Sequence, residues 1–130
     1  MATVNATVAI SLIASADLKA NQFRFVNVNS SGETIAITGV GERVVGLQED
    51  KPGEATGLAG ETSEVSISGV VKVIAGATVA AGQEVKCDAV GRVIDATSRV
   101  VTHFVVGTAL TGGAVGELIE VLISKYQQAV

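Results

Sequence analysis

The only imidazole in the chain is His103 and the only thiol is Cys87, so these two bound what covalent or acid–base chemistry is available. Nucleophilic catalysis needs a base held within reach of a Ser or Cys. His103 sits inside the branched run 100–106, with Val101 and Val105 at the alternate positions, and reads as a packed or interface histidine. Cys87 reads as a small hydrophobe in or beside a strand, and being alone it can form no internal disulfide. Structural zinc takes several His or Cys ligands, which one histidine and one cysteine cannot provide. Glu49, Asp50 and Glu54 share a loop but lack the alternating oxygen spacing of a calcium site, and read as solvated acidic residues. The expectation is therefore a non-enzyme, with no catalytic, cofactor-binding or metal-binding residues.

One further motif bears on covalent chemistry. Residues 73–85 resemble the glycine-spaced turn of biotinyl and lipoyl carrier domains, which present a modified lysine at a hairpin tip. Here Asp50-Lys51 precedes the turn, and Lys86 is followed by Cys87 within a strand. The chain order is wrong and the tip lysine is missing. A carrier domain stays as an alternative, as does a β-module of a phage tail, fibre or cell-surface binding protein. The aromatic platform favoured for sugars is absent from a chain with three Phe, one Tyr and no Trp.

The elements that must position these residues are short and β-branched. The chain has 130 residues, which suits a single domain able to bury about two-thirds of its unfolded surface. Apolar residues make up 48%, mostly Val, Ala, Ile and Leu, and small branched side chains suit thin sheets packed closely. Only 17% of residues are charged, against about 25% in ordinary soluble domains, a hint that part of the exterior is covered by a neighbour. The net charge is −4 and the nine basic residues are scattered singly. Nucleic-acid binding calls for a basic stripe with aromatics to stack on bases, so no nucleic acid is expected. The run 8–13 is too short for a secretion signal, Lys19 is the first basic residue, and no stretch reaches the roughly 18 apolar residues of a membrane helix. Synthesis in the cytoplasm, with no membrane partner, is the expectation.

The pattern predicts an all-β fold, a compact antiparallel barrel or sandwich of about ten short strands. The strands fall at 7–14, 23–28, 34–38, 43–48, 62–67, 70–74, 84–88, 92–96, 100–110 and 117–124. Residues 15–21 hold at most one helical turn. Residues 49–61, with the lone Pro52 and three glycines, form the longest loop. Ala89-Val90-Gly91 is a three-residue hairpin loop with glycine placed for a positive φ. An extended N-terminal arm, residues 1–5, precedes one β-domain spanning 6–130. Gly32-Glu33-Thr34, Gly60-Glu61-Thr62, Gly82-Gln83-Glu84 and Gly116-Glu117-Leu118 echo one another, and this reads as shared strand-entry chemistry rather than duplication. The last strand is apolar on both faces around Glu120, so both faces should be covered, by the sheet wrapping on itself or by a second subunit.

An ordered set of segments carries a resemblance across residues 15–124. It runs from Ser15-Ala16-Asp17-Leu18-Lys19-Ala20-Asn21-Gln22-Phe23-Arg24-Phe25-Val26 through residues 45–48, 52–55 and 68–73. It continues with Ala81-Gly82-Gln83-Glu84-Val85, Asp88-Ala89-Val90-Gly91-Arg92-Val93, residues 106–110 and Gly116-Glu117-Leu118-Ile119-Glu120-Val121-Leu122-Ile123. This set resembles the small capsid decoration, or cement, proteins of tailed bacteriophages. The resemblance implies a β-barrel-like structural protein of the virion, a homo-oligomer with the trimer favoured, on the outer surface of a mature head. It implies the major capsid protein as partner and an N-terminal arm laid on it, so Ala2, Thr3, Val4, Asn5 and Ala6 are the expected capsid contacts.

Overall fold

The computed structural model describes residues 8–16, 18–49, 62–98 and 100–128. The arm at 1–5, the contact residues Ala2 to Ala6 and most of the long loop lie outside them. Ten strands form two five-stranded antiparallel sheets, arranged as a sandwich rather than a closed barrel. The first sheet holds β1 (Val8–Ile13), β2 (Arg24–Val28), β3 (Thr34–Ala36), β4 (Gly46–Gln48) and β5 (Thr62–Ser68), in the order β1-β5-β4-β2-β3. The second holds β6 (Val70–Ile74), β7 (Glu84–Cys87), β8 (Val93–Asp95), β9 (Phe104–Ala109) and β10 (Leu118–Gln127), in the order β6-β10-β9-β7-β8. A single 3₁₀ turn, Lys19–Asn21, fills the place of the expected helical turn.

The two orders are one wiring used twice. The match extends to individual residue pairs. Val26 pairs with Gly46 and Ala36, just as Val85 pairs with Gly107 and Asp95. Val65 pairs with Ile10 and Gln48, just as Val121 pairs with Val71 and Ala109. In each sheet the residue after the first strand makes a parallel bridge to the opposite edge, Ala14 to Thr34 and Ala75 to Val93. That bridge curls the sheet without closing it.

The turns repeat as well. Asn29 Oδ1 accepts from the backbone N–H of Ser31 and Glu33, both at 3.0 Å. Asp88 Oδ1 accepts from Val90 at 3.0 Å and Arg92 at 2.9 Å, and each loop ends on a glycine of positive φ, Gly32 and Gly91. A short polar side chain that bonds the backbone two residues on is what makes Asn and Asp good turn formers. Of the strand-entry echo, Thr62 and Leu118 open equivalent strands, while Gly60 and Glu61 lie outside the described residues. The counterpart of Gly32-Glu33-Thr34 is Gly91-Arg92-Val93, which the echo did not include. The repeat lives in register and turn geometry while side chains diverge: Phe25 stands where Glu84 does, and Leu47 where Thr108 does.

The core gathers Val71, Val73, Val85, Val93, Ile119 and Val121 of the second sheet around Phe25 and Leu47 of the first. The first half is more polar within. Ser63, Gln48 and Thr34 occupy the positions of Ile119, Ala109 and Val93, and all six are buried. Three expected boundaries move. Residues 100–103 turn rather than extend, with His103 N–H bonding Val100 O at 2.9 Å, so the histidine precedes β9. Residues 43–45 join no strand. β10 continues to Gln127 through a register shift between Ile123 and Tyr126, held by pairing with β9 rather than by an apolar pattern.

Candidate binding surfaces

β7 carries the chain's most chemically distinctive residues side by side. Cys87 faces the core, is fully buried, and has its Sγ 3.4 Å from Glu42 O. Burial, the main cause, pushes the thiol up to about 11. Cys87 is thus the small hydrophobe that its sequence context indicates. Lys86 is only 6% exposed, and its Nζ lies 2.9 Å from Nδ1 of His103. An ammonium only donates, so His103 Nδ1 accepts and the ring carries its proton on Nε2. Burial first, and the Lys86 charge second, hold the imidazole below its ordinary value. A Cβ on Gly41 would come within 2.3 Å of the ring, so glycine there is what lets the histidine lie flat against the loop. The pair positions a buried cation. Among the described residues no three His, Cys, Asp or Glu side chains cluster as a metal site, and no helix is long and apolar enough to cross a membrane.

A half-open hollow of about 190 Å³ lies between residues 43–44 and the facing ends of β9 and β10. Arg43, Val44, Phe104, Val105, Lys125 and Tyr126 are among its walls. Lys125 Nζ donates to Val45 O at 2.9 Å, and burial lowers its pKa. Tyr126 OH donates to Glu84 Oε1. Small-molecule sites usually enclose roughly 300–1,000 Å³. This hollow is smaller.

Exposed apolar side chains also line the outer face of β6 and β10. Alternation sends Val71, Val73, Ile119 and Val121 inward, leaving three cross-strand pairs outside: Leu118 with Ile74, Glu120 with Lys72, and Leu122 with Val70. Leu118 is 49% exposed and Leu122 43%. The last strand was expected to be covered on both faces, and within one chain it is covered on one.

No protein-family description matches the sequence, and no curated protein does. Among solved structures, the chain is similar to the N base of the head fibre protein gp8.5 of bacteriophage phi29. The two share a fold. The TM-score is 0.59 at 17% sequence identity, over 96% of this chain and 99% of that one.

Of the residues singled out from sequence, the structure brings Lys86, Cys87 and His103 into one neighbourhood and separates their roles. Asp50, Lys51 and Glu54, like Ala2 to Ala6, fall outside the described residues. The Lys86–His103 contact had no sequence signal, because it depends on a turn that valine-rich residues 100–103 disguised as strand. The exposed leucines did have one, in the two-sided apolarity of β10.

Proposed function

We propose that this protein is a capsid decoration protein that binds the outer surface of a mature phage head and stabilises the shell. The observation that carries the proposal is the fold likeness to a phage head-fibre base, which runs over nearly the whole of both chains. The decoration-family resemblance across residues 15–124 supports the same reading. The major capsid protein is the partner, and the chain acts as a homo-oligomer, for which the resemblance favours a trimer. A ligand that binds only the expanded lattice lowers that lattice's free energy, by about 2.7 kcal/mol per site at a free concentration 100 times Kd. Contacts to several capsid subunits at once multiply weak interfaces through effective concentration. Such work asks for stiffness and shape. A second reading, the base of a fibre, is favoured by the phi29 neighbour being the N base of a head fibre.

Co-sedimentation of purified protein with expanded heads lacking it tests the proposal, with unexpanded procapsids alongside. Saturable binding to expanded heads, much weaker on procapsids, is the expected result. No binding to expanded heads would sink the assignment. Equal binding to both would remove the maturation-specific part. Thin projections seen on decorated heads would favour the fibre-base reading.

A further inference from the structure

We infer that the outer face of the β6–β10 pair is an interface between copies of this chain. The inference deepens the homo-oligomer of the proposed function, giving it a two-fold contact rather than the three-fold one the resemblance favours, and does not depend on capsid binding. The face consists of four aliphatic residues, Leu118, Ile74, Leu122 and Val70, arranged in two cross-strand pairs on either side of Lys72 and Glu120. Leu118 and Leu122 are about half exposed while the opposite face of the same strands is packed in the core.

The internal repeat supplies a control within the same molecule. The equivalent face on β1 and β5 pairs Ile13 with Thr62, Ser11 with Glu64, and Ala9 with Ser66. Thr62 and Glu64 are exposed and polar, Ile13 is exposed and apolar, and Ser66 is buried. The same pleat, register and wiring therefore tolerate a polar residue at the position of Leu118. Leucine at 118, where the first half has threonine, is not needed to build the sheet. Contiguous exposed apolar residues ringed by polar ones mark association surfaces.

Charge complementarity identifies the occupant as a second copy. The centre of the face holds one cation and one carboxylate side by side, so an identical face can set a Glu120 over Lys72 and a Lys72 over Glu120 while the aliphatic residues meet. A face of one sign would repel its own copy. This one matches it.

The test is light scattering on the full chain between about 1 and 100 µM. The wild type is expected to exceed the 13.1 kDa mass of one chain, and Leu122→Glu is expected to return it to that mass. Thr62→Glu, at the position equivalent to Leu118 on the first sheet, leaves the assembly intact. Circular dichroism confirms that each variant is folded, which surface placement favours. Lys72→Glu and Glu120→Lys each weaken association at least tenfold, and mixing the two variants restores it. The mixing arm separates pairing across copies from the cross-strand pair within a copy. A wild type of one-chain mass over the whole range overturns the inference, as does a Leu122→Glu that assembles like Thr62→Glu. If the wild type is one chain and Leu122→Glu loses head binding, the face belongs to the capsid contact instead.

Discussion

Gly107→Ala is the sharpest test of the sheet geometry. A Cβ at 107 would lie 2.1 Å from Leu122 O and 2.8 Å from Val121 Cγ1. Ordinary contacts begin near 3.5 Å, so β9 and β10 must part locally by roughly 1 Å. A ladder hydrogen bond near 2.9 Å stretched that far is no longer a bond. Overpacking strain of about 1–3 kcal/mol adds to one or two lost bonds at about 1 kcal/mol each, giving a destabilisation of about 3 kcal/mol. At this chain length that is a fall in Tm of about 10 °C. Gly46, the equivalent position in the first half, would bring its Cβ 2.3 Å from Ser66 O, so Gly46→Ala should cost about the same. Gly32→Ala meets no atom within 4 Å and carries only the strain of a φ of 78°, about 1 kcal/mol. Urea unfolding followed by circular dichroism measures all three. A cost under about 1 kcal/mol for Gly107→Ala would refute the close approach of the two strands.

Asp88→Ala removes the acceptor for two backbone N–H groups and the 2.8 Å pair with Arg92 Nε, and should cost about 2 kcal/mol. Asp88→Asn should cost less than half as much, because Asn29 builds the same turn in the other half; equal losses for Ala and Asn would contradict this. Cys87, buried and with its thiol at about 11, should resist a disulfide reagent at pH 8 until the protein unfolds, and rapid labelling of the native protein would count against its placement. His103 titrates lower in the folded chain than its ordinary 6.5, so the unfolded chain takes up the proton first as pH falls. Its contribution is whole above that unfolded value and is lost as pH falls through the folded one. Denaturant midpoints should therefore drop less between pH 7 and pH 5 in His103→Gln than in wild type, and an unchanged drop would exclude His103 as the cause.

The strands were legible because burial writes itself as alternation. Val70–Ile74 and Glu84–Cys87 appear almost where the pattern puts them. The hairpin at Ala89-Val90-Gly91 was equally plain, since the glycine at φ 87° is the residue such a loop needs. Pattern fails where pairing rather than burial decides. Lys125 to Gln127 are exposed yet remain strand, because β9 pairs Tyr126 and Gln127 beyond the register shift. Val100 and Val101 are apolar yet exposed, in a turn that delivers His103 to Lys86. The repeat escaped notice for a related reason. Hydrogen-bond register is blind to side-chain identity, so Phe25 and Glu84 can hold the same place without resembling each other.

The uneven filling of the two halves has a mechanical consequence. Where the second sheet encloses Ile119, Val93 and Ala109, the first encloses Ser63, Thr34 and Gln48, and Gln48 spends its amide on Leu18 O at 2.7 Å. Less oil means a shallower well, so β1 and β5 open before β9 and β10 when the molecule is strained. One side yields while the other keeps its shape, so strain is taken up first at the β1–β5 edge.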